Sequence, residues 1–223
     1  MRQTFRLLST FALFLTLSAA ADEWSVGVST GPFVFGDFVQ RTIRIGTDTS
    51  VSTTKLTLTG ATRPGLSVDV ERDFAPRWGV RLEGTFTETK LRVESSSAGG
   101  VNLDAGKMDV TTWSLPLVFR FNRHGAIRAH LFAGPAYATY RIKHRDGDSG
   151  AISEFEGTRG RAGLSVGGGL AWWISDRTAI EGNIQDVATE SPFERSDFPA
   201  SSTGLKIMKP HNLHTTIGVR YRF

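Results

Sequence analysis

The chain of 223 residues contains no cysteine. A disulfide framework, a thiol nucleophile and a cysteine metal site are therefore excluded. Long apolar runs are missing too. Beyond residue 21 nothing approaches the about 20 apolar residues that a membrane-crossing helix needs. Insertion into a bilayer would then require a closed sheet, because an open edge in lipid leaves backbone groups unpaired. Charge of one sign is scarce: the net charge is +4, and removing Arg2 and Arg6 leaves 4 − 2 = +2. That balance is too weak to argue for a nucleic-acid partner, and none is expected. The Gly167-Gly168-Gly169 run lies inside a strand pattern and opens no helix, so it is no nucleotide fingerprint.

What is present begins with a leader. Arg2 and Arg6 form a basic start, Leu7 to Leu17 is a short apolar run, and Ala19-Ala20-Ala21 fits a small-residue cleavage site. This grammar predicts a signal peptide over residues 1–21 and a mature domain over 22–223. No internal repeat, linker or low-complexity tract divides that domain.

The most informative segment is Leu213 to Phe223. Leu213, Thr215, Ile217, Val219, Tyr221 and Phe223 share one parity, while His214, Thr216, Gly218, Arg220 and Arg222 take the other. A period of two means a strand with one oily face. Its length suits a tilted membrane strand of about 9–11 residues. The same alternation recurs. Trp24, Val26 and Val28 oppose Ser25 and Gly27. Leu66, Val68 and Val70 oppose Asp69 and Glu71. Trp78, Val80, Leu82 and Phe86 oppose Arg81 and Glu83. Trp113, Leu117, Phe119 and Phe121 oppose Ser114 and Arg120. Ile127, Ala129, Leu131 and Tyr137 oppose Arg128, His130 and Phe132. Leu164, Val166, Leu170 and Trp172 oppose Ser165 and Gly167. Ile180 and Ile184 oppose Glu181 and Asn183. With the terminal strand the total is eight.

Short turns at 75–77, 122–125 and 175–177 alternate with long polar connections at roughly 36–62, 94–107, 143–160 and 188–209. That asymmetry marks an all-β, closed, eight-stranded antiparallel up-and-down transmembrane barrel, with short periplasmic turns and long extracellular loops. Aromatic positions follow the turn lengths. Trp24, Phe74, Trp78, Phe121, Trp172 and Tyr221 fall at the periplasmic ends, and Phe86, Trp113 and Tyr137 at the outer ends, all in lipid-facing register. Girdles at both headgroup levels are expected. From Trp78 to Phe86 is eight steps. That gives roughly 20 Å of height, close to an apolar band. The first long connection reads two ways: as a raised hairpin, since Val39, Arg41, Ile43 and Ile45 alternate as do Lys55 to Leu58, or as an unstructured loop.

These residues resemble the small eight-stranded outer-membrane barrels of the OmpA/OmpX-like group. The resemblance covers residues 22–223 and rests on the leader, the strand count, the loop asymmetry and the ending Ile217-x-Val219-x-Tyr221-x-Phe223. It implies residence in the outer membrane of a Gram-negative bacterium among lipids and lipopolysaccharide. It further implies that Ile217, Val219, Tyr221 and Phe223 form an assembly signal for the barrel-assembly machinery, with periplasmic chaperones acting before it. The chain ends at Phe223 without a peptidoglycan-binding domain, so a cell-wall tether is not implied.

Three constellations carry candidate chemistry. Asp69, Glu71, Arg81, Glu83, Arg120, Arg128, Glu181, Arg220 and Arg222 share lumen register. An eight-stranded interior is just wide enough for side chains to fill, so these charges are expected to pair as a plug. A gated narrow pore built on the same pairs is the alternative. His130 is in lumen register and could approach Ser165, an arrangement of the Ser–His type. His211 and His214 are three apart and point to opposite faces, so they cannot chelate one metal together. Asp146 to Gly150 resembles the start of a calcium loop, but its twelfth position is Gly157, where a bidentate Glu is required. No cofactor, metal or catalytic set is therefore expected. The expected function is a non-enzymatic barrel that presents surface loops for envelope integrity, adhesion or binding of an extracellular ligand. Arg41, Arg44, Lys143, Arg145 and Arg195 are candidate contacts to lipid phosphates or anionic partners. A narrow porin-like channel and a lipid-A-modifying enzyme are the alternatives.

Overall fold

The computed structural model describes residues 23–47, 50–96, 102–122, 124–143, 157–198 and 204–223. The chain is an antiparallel meander of β1 (Glu23–Phe35), β2 (Asp37–Thr47), β3 (Ser50–Gly60), β4 (Arg63–Ala75), β5 (Trp78–Ser95), β6 (Asn102–Ser114), β7 (Leu117–Arg120), β8 (Ile127–Lys143), β9 (Gly157–Trp173), β10 (Thr178–Thr189), β11 (Leu205–Ile207) and β12 (His211–Arg222). Several labels are pieces of one staggered strand. β2 continues β1 past Gly36, β4 continues β3, β7 continues β6 past Pro116, and β12 continues β11.

Merged in this way, eight strands pair in sequence order around a ring. The seam is β1 against β12, with Ser25 opposite Arg222 and Val28 opposite Val219. Ring pairing leaves no free edge in lipid, the condition a membrane sheet must meet. Pro116 cannot donate to the ladder. Its carbonyl accepts from Arg81 N–H at 3.0 Å instead, and Leu115 N–H donates to Pro135 O at 3.0 Å, so the wall stays closed there.

The period of two sorts the wall as the sequence predicts. Trp78, Leu117 and Ile217 are 40%, 44% and 63% exposed on the outer surface. Arg81, Glu181 and Arg220 face inward and are buried. In a soluble sandwich the first three would be the dry centre; here they are the skin.

The loop bounds tighten by a few residues, and one open alternative is resolved. The long connections are shorter than their polar composition suggests. β5 runs to Ser95, β8 to Lys143 and β9 starts at Gly157, so the wall rises well above the outer aromatic ring. The first connection takes the hairpin alternative: Val39 pairs with Leu58 and Thr47 with Ser50. Polar, threonine-rich strands outside lipid need no oily face, which is why a hydropathy pattern loses them.

Candidate functional site

The lumen has two chemically distinct halves. The periplasmic half holds the charges. Arg81 Nε donates to Glu71 Oε2 at 2.7 Å, and Arg81 Nη2 donates to Glu181 Oε1 at 3.0 Å. Arg220 binds Glu181 through Nε and donates to Asp69 Oδ1 at 2.7 Å and to Ser25 Oγ at 3.0 Å. Arg120 pairs with Glu71 and lies 2.6 Å from Asp73 Oδ1. Glu181 is the hub, joined to two guanidinium groups and to Asn183 Nδ2 at 2.9 Å. Such charge-assisted bonds tolerate burial because each partner supplies what water would.

The backbone makes room for this cluster. Gly27 faces both Asp69 and Arg220 across its two ladders. A Cβ there would stand 2.2 Å from Asp69 Oδ2, so the glycine is the notch in which the Asp69–Arg220 pair closes. Gly167 does the same for Phe132, whose ring would meet a Cβ at 2.5 Å.

Other candidates are spread more widely. Glu83 accepts from Gln185 Nε2 at 3.3 Å, a neutral donor on the far side of the lumen. Arg128 stacks on Trp173 at 4.6 Å, and Arg222 covers the same ring at 4.1 Å while pairing with Glu23 at 3.0 Å. These last residues line the periplasmic mouth, where the enclosed space is only about 20 Å³. That is roughly one water.

The Ser–His arrangement does not form. Register places His130 opposite Gly169, whereas Ser165 lies opposite Gly134, four residues along. His130 Nε2 lies 2.9 Å from Asn183 Oδ1, and Ser165 Oγ accepts from Gln185 at 2.8 Å. His211 faces outward and pairs with Asp186 at 2.7 Å, while His214 faces inward against Phe33 with ring centroids 3.7 Å apart. Among the described residues no cluster of three potential ligands could hold a metal ion. Arg145, the 146–150 run and the 1–21 leader lie outside the described residues, as do the side chain of Arg44 and its contacts.

The extracellular half of the lumen is a correction: it is dry. Phe33, Phe35, Phe38, Leu91, Met108, Tyr140 and Phe193 pack there into an apolar core. Parity alone leads one to expect a wholly wet interior. That expectation fails because Phe33, Phe35, Leu91, Met108 and Tyr140 carry the inward parity of their strands on into the upper lumen as apolar side chains, and only Phe38 follows a slip, at Gly36, where the β2–β3 register shifts between Asp37 and Val39. That break brings Phe38 inward from a stretch that reads as loop. Tyr140 keeps its hydroxyl satisfied by Thr189 at 2.7 Å and Asn212 at 3.0 Å.

A strap covers this core. The segment from Ser191 to Phe198 leaves β10 and folds over the mouth, with Phe193 1% exposed against Phe38. Arg161 Nε donates to Ser191 O at 2.7 Å and its Nη2 to Glu194 Oε1 at 2.7 Å. Arg159 grips Asp197 with both Nη atoms and donates to Pro192 O at 3.0 Å. β11 then pairs with β2 through Leu205 and Arg41. Sequence reasoning misses the strap. The available signal is a pair of phenylalanines, Phe193 and Phe198, inside an otherwise polar connection.

The latch is pH-sensitive in a defined sense. Burial pushes the Asp197 carboxyl up, but hydrogen bonds from Arg159 and the Glu194 backbone, with the charges of Arg159 and Arg161, outweigh it and hold it below the ordinary value. A depressed carboxyl stabilises the fold above its unfolded value and loses that contribution as pH falls through the folded one. The strap should therefore stay closed at neutral and mildly acidic pH and loosen only below about 4. Asp197→Asn should loosen it at pH 7 by about 1–2 kcal/mol, a factor of roughly 5–30 in opening. Hydrogen exchange of residues 190–198 reads this directly; unchanged protection would remove the latch.

The aromatic positions complete the geometry. Trp24, Phe74, Trp78, Phe121, Trp172 and Tyr221 face outward at the short-turn end, and Phe86, Trp113 and Tyr137 at the other. Phe86 and Trp113 meet edge to face at 5.9 Å, and Tyr221 meets Phe223 at 5.5 Å. Ile217 and Val219 join them on the outer face of β12.

A family model for the outer membrane protein beta-barrel domain matches residues 7–223. The chain belongs to that family. Solved structures agree on the fold. OprG from Pseudomonas aeruginosa aligns with a TM-score of 0.57 at 15% identity, covering 91% of this chain and 96% of that one. A major outer membrane protein from Thermus thermophilus gives 0.51 at 15% identity, with 91% and 100% covered. AlkL gives 0.51 at 12%, with 93% of each chain covered. No curated protein matches. The barrel is thus an outer-membrane protein of Gram-negative type, embedded among membrane lipids.

Proposed function

We propose that this protein is a closed, non-enzymatic barrel whose working surface is its extracellular rim. The observation that carries the reading is the filled lumen. Ion pairs occupy the lower half, an apolar core the upper half, and the strap carrying Phe193 lies over the mouth. Among the described residues neither half offers a continuous wet path, which counts against the narrow channel. The raised β2–β3 hairpin and the strap supply a rigid, polar rim suited to adhesion, envelope integrity or capture of an extracellular ligand. Biogenesis fits a leader cleaved after residue 21, periplasmic chaperones, and an assembly signal at Ile217, Val219, Tyr221 and Phe223. Partners at the rim and wall are lipopolysaccharide and the extracellular ligand.

Planar-bilayer recording of the purified mature protein should show no conductance steps. Steady steps would overturn the closed reading. Cells whose barrel has the β2–β3 hairpin trimmed to a short turn should lose surface binding or envelope resistance while keeping heat-modifiable gel mobility. Unaltered behaviour would remove the rim from the proposal.

A further inference from the structure

Above the outer aromatic ring, three neighbouring strands carry charges on their outward faces in an unusual register. Glu88 lies directly opposite Asp109 across β5–β6, and the next outward row sets Lys90 opposite Lys107. Lys107 in turn lies directly opposite Lys143 across β6–β8. Three lysines thus stand in one row on adjacent strands, spanning about 10 Å along the backbone ladder. Like charges directly opposite destabilise a sheet. The protein offsets part of this with diagonal pairs: Lys90 with Asp104 at 3.1 Å, Lys107 with Glu88 at 3.1 Å, and Lys143 with Asp109 at 2.5 Å.

Each pair uses one of the three donors on its lysine and leaves the others directed outward. Arg141, beside Asp109 in the ladder, is exposed and has no ion-pair partner among the described residues. From Lys90 through Asp109 to Arg141, the strip at positions 88–92, 104–109 and 141–143 carries three lysines and two arginines against three carboxylates.

Its position selects the partner. The strip is on the wall, not at the mouth, and stands directly above Phe86, Trp113 and Tyr137. Below it an open groove of about 490 Å³ is lined by Thr30, Leu66, Phe86 and Thr111, with Glu88 and Asp109 at its lysine side. Lysine stems are long enough to reach down toward a headgroup layer.

We propose that this face binds the phosphorylated sugar headgroup of an outer-leaflet glycolipid. Phosphate meets the row Lys90–Lys107–Lys143 and Arg141, and the base of the lipid lies in the groove. The carboxylates on either side of the row, Asp104 above and Glu88 and Asp109 below, fix the lysine side chains on this face. This site deepens the reading of lipopolysaccharide as a wall partner and does not depend on whether the lumen conducts.

Native mass spectrometry of the refolded mature protein tests it, with diphosphorylated lipid A, dephosphorylated lipid A and inorganic phosphate as separate probes. The wild-type barrel should hold the diphosphorylated form over the dephosphorylated one, and inorganic phosphate alone should not bind. The triple variant K90Q/K107Q/K143Q should retain heat-modifiable mobility and lose about tenfold or more in affinity for the diphosphorylated form. Equal binding of the two lipid A forms by wild type overturns the proposal without need of any variant. So does a folded triple variant that binds as wild type does. Either failure leaves the silent-bilayer result standing, so the two readings fall separately.

Discussion

Glu181→Gln should cost about 3–5 kcal/mol of folding stability, the range expected when one partner of a buried ion network is removed. Glu181 is 4% exposed and joins Arg81 to Arg220 from opposite sides of the lumen. With its charge gone, both guanidinium groups remain buried. Asp69 and Glu71 are then shared among Arg81, Arg120 and Arg220. Glu23→Gln is the control. Glu23 pairs with Arg222 at 3.0 Å but at the half-exposed periplasmic mouth. Its loss should cost at most about 1 kcal/mol. Urea unfolding in phospholipid vesicles measures both. The double variant Glu181→Gln with Arg220→Gln should cost clearly less than the two single changes added, because the second substitution removes a charge the first left stranded. Additive costs would mean that the cluster is a set of separate solvated groups.

The same residues show what a sequence can and cannot yield. That Arg81 and Glu181 face inward follows from parity alone, since Leu82 and Ile180 take the other face. That they touch does not, because 100 residues separate them and the contact exists only once the ring has closed. The wall was legible because lipid enforces a strict period of two on Leu66, Val68 and Val70 or on Leu213 to Phe223. Outside lipid that enforcement stops. β2 and β3 are rich in threonine, and their pairing answers to backbone hydrogen bonds with little hydropathy contrast. The dry upper lumen was hidden for a related reason. Its residues come from several strands and a strap, and Gly36 resets the parity just before Phe38. Phe193 read as part of a polar loop because its partners, Phe38 and Phe198, are assembled by tertiary folding.

Leu117→Arg should cost about 2–4 kcal/mol when the barrel folds into a bilayer, whereas Leu103→Arg should cost about 1 kcal/mol or less. Leu117 points outward at 44% exposure and Leu103 is 59% exposed near the end of β6, so neither change creates a cavity in a core. They differ in height. Leu117 lies four residues from Trp113 and four from Phe121, midway between the aromatic levels. Leu103 lies ten residues above Trp113, next to the Asp104 that pairs with Lys90 and Arg92. In water the two substitutions would be near neutral and alike, since an arginine on an exposed strand face meets only solvent. In lipid the guanidinium at position 117 must desolvate, thin the bilayer or stretch to a headgroup. Position 103 asks none of this. The same residue exchange on the same strand line therefore reports the solvent on each side of Trp113. Folding free energies from urea titration in vesicles should separate the two by about 2 kcal/mol or more. Equal penalties would place both positions in one solvent and undo the assignment of Trp113 to the boundary.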